Sequence, residues 1–404
     1  MSWQELDFEN LFSVSSRNGI YKSKEHHGSG VRVVNMGELF GFERIGNQPM
    51  SLIQMTDAEM EKSGLIDGDL LFGRRSLVEE GAGKCSLVFD PKSPLTFESS
   101  IIRVRLNKSK ANSGFYFDYF RSPIGRSRIR AIVSGATVKG IRGSDLRLIK
   151  VHVPPLNEQI AIRAVVAAYD DLIETNRRRI ALLEESARLL YREWFVHLRY
   201  PGHTRSNACQ ALPPGWRIRP LGEVVAVNRV SLSSQDKPDE IRYIDIASVE
   251  TGSVLATTKM PFTDAPGRAR RKVQHGDVIW SCVRPNRRSY ALLWQPHADI
   301  LVSTGFAVLT AGDVPFSYLY FATTSDEFVA YLTNRATGAA YPAVKARDFE
   351  EAPLLCPTPE LLQDFHASCL PMLELRSTLM EQNAKLTEAR DALLPKLMSG
   401  EIQV

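Results

Sequence analysis

The sequence predicts an α+β fold in which two similar mixed α/β domains are separated by an antiparallel coiled coil of two long helices, the whole forming a pseudo-twofold internal repeat. Three observations predict it. The chain of 404 residues repeats itself after about 203 positions: Gly68-Asp69-Leu70-Leu71-Phe72 returns as Gly276-Asp277-Val278-Ile279-Trp280, Gly135-Ala136 as Gly338-Ala339, and Asp145-Leu146 as Asp348-Phe349. Each copy opens with short apolar runs broken by Gly, Pro and Asn, the pattern of strands and turns. Each copy then closes on a long stretch with one narrow apolar stripe, the pattern of a coiled-coil helix. One chain carrying two copies of a fold can place them about a pseudo-twofold axis, as a dimer of single copies would.

The first mixed domain is expected over residues 1–153. Val31-Arg32-Val33-Val34, Leu70-Leu71-Phe72, Leu87-Val88-Phe89 and Ile101-Ile102-Arg103-Val104 read as its strands. The first long helix is expected over 154–198, since no Gly or Pro occurs between Glu158 and Val196. Its seam is read as Val166, Tyr169, Ile173, Asn176, Ile180, Leu183, Ala187, Leu190 and Trp194. Asn176 either fixes the register from inside the seam or sits at its edge. Residues 199–355 comprise a polar, Pro/Gly-rich linker, Arg199 to Pro214, and the second mixed domain. Residues 356–404 carry the second long helix and a tail. Thr358 is its N-cap, Pro359 its first helical residue, and Phe365, Ser368, Met372, Leu375, Leu379, Gln382, Leu386, Ala389 and Leu393 its stripe, up to Pro395. Helices of about 35 to 40 residues are roughly 55 to 60 Å long. Two such narrow stripes are most simply buried against each other. The aromatic clusters Phe115 to Phe120 and Phe316 to Phe321 recur at equivalent places and are read as core-packed helices rather than base-stacking platforms.

A net charge of +4 is only mildly basic, so any polyanion surface must come from local clustering. Five scattered cysteines without a paired spacing (Cys85, Cys209, Cys282, Cys356, Cys369) exclude a zinc ribbon or disulfide framework and point to reduced thiols in a cytoplasmic protein. The start has no signal-peptide pattern, and no apolar run reaches membrane-spanning length.

Two tracts concentrate charge. Arg121 to Lys150 holds eight basic residues against Asp145, and Asp264 to Arg288 holds seven against Asp264 and Asp277. Interleaved Gly and Pro suggest loops whose guanidinium groups reach phosphates or guanine edges. Candidate nucleic-acid contacts are Arg126, Arg128, Arg130, Lys139 and Arg142 in the first tract and Arg268, Arg270, Arg271, Lys272, Arg284, Arg287 and Arg288 in the second. Arg74, Arg75, Lys345 and Arg347 are further candidates of the same kind.

Catalytic patterns fail. Gly81-Ala82-Gly83-Lys84-Cys85 resembles the end of a phosphate loop but has Val78 in place of its first Gly and Cys85 in place of Ser or Thr. Neither Asn-Pro-Pro-aromatic nor Asp-Pro-Pro-aromatic, which amino-methyltransferases use, occurs; the chain has only Val153-Pro154-Pro155-Leu156 and Leu212-Pro213-Pro214-Gly215. His26-His27 lacks metal-ligand partners at helical spacing and reads as a surface pair. Binding is the leading reading. The alternatives are a coiled-coil scaffold that binds proteins only, and an enzyme with a dispersed nuclease or methyltransferase site.

Tyr191-Arg192-Glu193-Trp194-Phe195-Val196 at the end of the first helix, and Leu393-Leu394-Pro395-Lys396-Leu397-Met398-Ser399-Gly400-Glu401-Ile402 at the end of the second, resemble the two conserved regions of type I restriction-modification specificity subunits. Pro154-Pro155-Leu156-Asn157-Glu158-Gln159 resembles the motif with which that family begins its helix. Its counterpart, Cys356-Pro357-Thr358-Pro359-Glu360, departs by lacking the Gln. The resemblance covers essentially the whole chain. It implies two target recognition domains, each reading one half of a bipartite, asymmetric site on double-stranded DNA, with helices that set the spacer. It also implies no catalytic site and no cofactor on this chain. The implied partners are two methyltransferase (modification) subunits that use S-adenosylmethionine on adenine, and restriction (endonuclease) subunits that use ATP and Mg2+. Arg126-Ser-Arg128-Ile-Arg130 in one half and Arg268-Ala-Arg270-Arg271 in the other are expected to be the differing loops that read different half-sites.

Overall fold

Two helices dominate the computed structural model, which describes residues 3–202, 212–233, 235, 236 and 238–404. They are Leu156–Tyr191 and Pro359–Ser399. The chain divides into two compact units: residues 1–175 with 382–404, and residues 176–381. This division cuts through both helices rather than at their ends, because each half-helix is anchored in the core of the strand-rich domain beside it. Cys209 and most of the expected linker lie outside the described residues.

In the first unit the main sheet has the order Phe12–Asn18, Ile101–Leu106, Leu70–Gly73, Cys85–Val88, Arg44–Ile45. A second sheet holds His27–Val34 between Leu52–Ile53 and Leu95–Phe97. The second unit follows the same plan. Its main sheet runs Val225–Val227, Phe306–Ala311, Val278–Ser281, Tyr290–Leu292, and its second sheet Thr258–Pro261, Glu240–Ile244, Ile300–Ser303, Ala269–Lys272. Both second sheets contain one parallel pair, Arg32 opposite Leu95 and Arg242 opposite Ile300. The last strand, Ala269–Lys272, has no counterpart in the first unit. A two-stranded pair closes each domain at the root of its long helix, Gln4–Asp7 with Lys150–Val153 and Arg217–Pro220 with Pro353–Cys356.

The repeated Gly-Asp has a mechanical reason. Gly68 and Gly276 adopt left-handed φ values of 90° and 84°, which only glycine takes up without strain. The buried aspartate that follows then closes the turn: Asp69 accepts the Ile66 N–H at 2.9 Å, and Asp277 accepts the Gln274 N–H at 2.8 Å. The aromatic clusters are buried helices, Ser113–Arg121 and Phe316–Thr323, as expected. Tyr116 and Tyr318 donate their hydroxyls to the carbonyls of His152 and Leu355, tying each helix to the strand before the long helix.

The seam is polar where the stripe of apolar residues was expected to continue. In the first helix Val166, Ile173, Asn176, Ala187 and Trp194 are buried, and Tyr169, Ile180, Leu183 and Leu190 half-buried. Asn176 thus lies inside the seam. In the second helix Phe365 and Leu379 are buried and Met372, Leu386 and Leu393 half-buried, but Leu375 is exposed, as are Ser368, Gln382 and Ala389. The buried line is Phe365, Cys369, Leu373, Arg376, Leu379, Leu394 and Leu397, and it passes through Pro395 to Met398. An apolar template slips by one residue here because it cannot place Arg376 and Arg390 on the inner face. Proline costs a helix one hydrogen bond; full burial of Leu394, Leu397 and Met398 offsets that at Pro395.

Those polar seam residues hold each unit together. In the first, Asp170 accepts from Arg390 at 3.0 Å, Arg121 at 3.2 Å and Arg163 at 3.3 Å, and Arg163 also donates to buried Asp118 at 2.8 Å. Asn383 donates to the Ile173 carbonyl at 3.3 Å. The partners' numbers fall as those of the first helix rise, so these segments are antiparallel. In the second, Arg376 pairs with Glu184 at 3.2 Å and donates to the Gly252 carbonyl. The first helix ends in a π turn, Arg192–Val196, whose wider winding lets adjacent Trp194 and Phe195 both enter the core with Trp216, Tyr318 and Phe365.

Gln159 explains the motif that begins the first helix. Fully buried, it donates to the Pro154 carbonyl at 2.8 Å and accepts the Asn112 N–H at 2.8 Å, locking the helix start to the aromatic helix. Its counterpart 203 residues on is Leu362, buried among apolar neighbours. Among the described residues no helix is long and apolar enough to cross a membrane.

Candidate nucleic-acid interface

The first part of the first basic tract is helical rather than the expected loop. Ser122 caps a helix, Pro123–Arg130, by accepting the Gly125 N–H, and Pro123 takes its first position. Arg126 points inward and donates to the carbonyls of Glu80 at 2.8 Å and Gly83 at 3.2 Å. Burial lowers its pKa from the ordinary guanidinium value. Its task is to hold the Gly81–Lys84 turn, the segment that resembles a phosphate loop. Arg128 pairs with Glu5, and Arg130 is exposed at the helix end with no ion pair among the described residues. The counterpart of this helix is Asp326–Arg335, not the 268–271 segment. That segment leads into the extra edge strand, so the two arginine runs are not matching loops.

What the two units share is a narrow ribbon. In the first, Arg75–Ser76 pairs antiparallel with Lys139–Gly140, the Ile141 N–H donates to the Arg74 carbonyl at 3.0 Å, and Ser134 bridges Gly140. In the second, Val283 bridges Ala343, the Val344 N–H donates to the Cys282 carbonyl at 2.9 Å, and Thr337 bridges Ala343. Each tip turns on a left-handed glycine, Gly135 at φ 104° and Gly338 at φ 107°. A Cβ there would lie 2.1 Å from the Val138 oxygen and 2.9 Å from the Tyr341 oxygen. Glycine is therefore required at both.

The first ribbon brings Arg74, Arg75, Lys139 and Arg142 into one neighbourhood. Arg75 and Arg142 are exposed, and none of the four has a side-chain ion pair among the described residues. The second ribbon brings Arg284 against its own tip. Arg284 donates its main-chain N–H to the Pro342 carbonyl at 2.7 Å and its guanidinium to the Ala340 carbonyl at 3.2 Å, and it lies 4.7 Å from the Tyr341 ring centre. Arg287 is exposed on the same short turn, and Arg288 pairs with Asp326. Lys345 follows the ribbon, exposed, at the start of Ala346–Glu350; Arg347 pairs with Glu351 at 2.6 Å.

The edge strand forms a separate basic patch. Arg268 donates to the Tyr243 hydroxyl at 3.1 Å and pairs with Asp245, Arg270 lies over Phe262, and Lys272 is exposed. Arg271 turns inward to Asn228 and the Phe306 carbonyl, and burial lowers its pKa. The candidates thus separate into inward clamps (Arg126, Arg271), ion-paired residues (Arg128, Arg268, Arg288, Arg347), ring-stacked residues (Arg270, Arg284), and cations with no ion pair among the described residues (Arg74, Arg75, Arg130, Lys139, Arg142, Lys272, Arg287, Lys345). Charge density could not see the exposed ribbon tips, Val138 and Tyr341. The repeated Gly135 and Gly338, three residues before them, were the signal that marked the place. Among the described residues no group of three His, Cys, Asp or Glu side chains is arranged to hold a metal.

Comparison with known proteins places this architecture. Residues 2–185 match the model of the type I restriction modification DNA specificity domain. A Methanocaldococcus jannaschii protein, the type I restriction enzyme MjaIX specificity subunit, is 25% identical over 362 residues, 82% of this chain and 83% of the relative. The Escherichia coli type I restriction enzyme EcoKI specificity subunit is 28% identical over 177 residues, 43% of this chain and 38% of the relative. The crystal structure of a type I restriction-modification S subunit from M. genitalium shares the fold, with a TM-score of 0.59 at 15% identity over 98% of this chain and 96% of that one. With a repeated mixed domain, two long helices and these relatives, the chain is similar over most of its length to type I restriction-modification specificity subunits, and residues 2–185 carry the match to their DNA specificity domain.

Proposed function

We propose that this chain chooses the DNA sequence on which a type I restriction-modification complex acts, each unit reading one half of a bipartite, asymmetric site. It is a non-catalytic subunit. The observation that carries the reading is the shared ribbon: one framework, built twice, ends each time in an exposed tip beside unpaired or aromatic-stacked arginines, with different side chains in the two copies. Equal frameworks with unequal tips suit two unlike half-sites. The cations left free by the fold suit phosphates, which position a protein on a duplex but carry no sequence information.

In this reading the two long helices set the spacer, and two methyltransferase subunits using S-adenosylmethionine assemble with the chain, joined by restriction subunits that use ATP and Mg2+. Two measurements test it. Binding of the assembled modification complex to its site should fall about 1,000-fold between 50 and 200 mM salt, as expected for about six neutralised phosphates; a flat salt response contradicts it. Inserting four residues at matched places in both helices adds about 6 Å of helix rise and should lengthen the preferred spacer by about two base pairs. An unchanged spacer would show that the helices do not measure it.

A further inference from the structure

Ribbon tips Gly135-Ala136-Thr137-Val138-Lys139 and Gly338-Ala339-Ala340-Tyr341-Pro342 superimpose in hydrogen-bond pattern residue for residue. Ser134 and Gly140 exchange both main-chain hydrogen bonds, at 2.9 Å each, as Thr337 and Ala343 do at 3.0 and 2.9 Å. Val138 and Tyr341 therefore occupy the same position, and both stand out of the fold: Val138 is 47% exposed and Tyr341 70%. Beside Val138, on the partner side of the ribbon, the turn after Ser76 exposes Leu77 at 82% and Val78 at 59%. That turn is built, since Ser76 Oγ accepts the Val78 N–H at 3.1 Å and Arg126 clamps the Glu80 to Gly83 carbonyls behind it. Three apolar side chains in water between Arg75 and Lys139 serve no core. Exposed aliphatic groups on a rim of unpaired cations are matched by one feature of duplex DNA, the thymine C5-methyl in the major groove.

In the second unit the same position carries a ring whose one face is covered by the Arg284 guanidinium. Arg284 is held there by its bond to Ala340 and by a left-handed φ of 51°. An arginine stacked on an aromatic ring keeps its N–H edge available, so the pair presents a planar, donor-bearing edge rather than a methyl-sized surface.

We propose that the ribbon tip is the base-contacting position of each unit: Val138 with Leu77 and Val78 reads a thymine methyl in one half-site, and Tyr341 with Arg284 reads a base edge in the other. This rests on the reading of the chain as a DNA specificity subunit.

The test begins by selecting duplexes from a random library with the full chain assembled with its modification subunits. Failure of the wild-type complex to enrich any sequence would overturn the specificity reading itself. Given a selected site, each thymine is replaced singly by deoxyuridine, which lacks only the methyl. Binding should weaken about fourfold, the worth of one buried methyl, at a thymine in one half-site, and that difference should vanish in Leu77→Ser/Val138→Ser. Tyr341→Ala should relax one position of the other half-site and leave the first half as selective as before, which also shows that the variant is folded. The proposal is overturned if no thymine responds to deoxyuridine, if the response survives in the double variant, or if Tyr341→Ala leaves the selected sequence unchanged.

Discussion

Replacing Asp170 by Asn tests how the first unit is held together. The carboxylate is nearly inaccessible and takes hydrogen bonds from Arg390, Arg121 and Arg163, themselves only 11 to 13% exposed, so solvent screens little of the interaction. Asn keeps the shape but removes the charge. Arg163 then retains Asp118, and Arg390 retains Asp391, while the cluster loses its central anion. Removing one partner of a buried ion pair typically costs about 3 to 5 kcal/mol. With these fallback partners the lower figure applies, about 3 kcal/mol, or roughly a 150-fold larger opening constant. Native-state hydrogen exchange is the assay, because it reads each unit separately. Amides of Leu70–Gly73 and Ile101–Leu106 should lose protection by about that factor, while those of Val278–Ser281 in the other unit keep theirs. A loss below about 1 kcal/mol, or equal loss in both units, would refute the argument that this network anchors one unit.

Three further predictions follow the same logic. Arg376→Met should destabilise the second unit by about 2 kcal/mol, because the Gly252 carbonyl loses its donor and half-buried Glu184 keeps only Tyr320 and Arg188; urea unfolding read by exchange in Val278–Ser281 checks this. Gln159→Leu, which copies the residue at Leu362, should cost about 2 kcal/mol because the Asn112 N–H and Pro154 carbonyl lose their partner; a neutral result in thermal unfolding would show that the clamp is dispensable. His366, beside Ser317 Oγ at 2.9 Å, is held below its ordinary pKa by burial. Its unfolded form therefore takes up the proton first, so its stabilising contribution is present above the unfolded pKa of about 6.5 and is lost as pH falls through it. His366→Gln should flatten that part of the stability curve between pH 7 and 5.

The duplication, the long helices and the aromatic core helices were legible because they rest on periodicity and repetition. The seam of the second helix was legible only in part. Leu375 satisfies an apolar template but faces solvent, while Arg376 and Arg390 face inward because Glu184 and Asp170 meet them across the antiparallel pair. Such pairing between residues about 190 to 220 positions apart leaves no local signal. The basic tracts could be marked by charge, but which of their side chains the fold uses internally could not. Arg126 and Arg271 are structural because nearby carbonyls need donors, which charge counting does not register. The ribbon tips were invisible as chemistry, Val138 being an ordinary valine until the matching hydrogen bonds make it the equivalent of Tyr341 in the repeat.

The most direct test of the central claim is to map methylated adenines in the host genome with this chain present and with it deleted. Two unlike readers on one chain predict that deletion abolishes methylation at a single gapped motif, two different half-sites at a fixed spacing, and that restoring the chain restores it. An unchanged methylation pattern, or loss of an ungapped motif, would contradict the account.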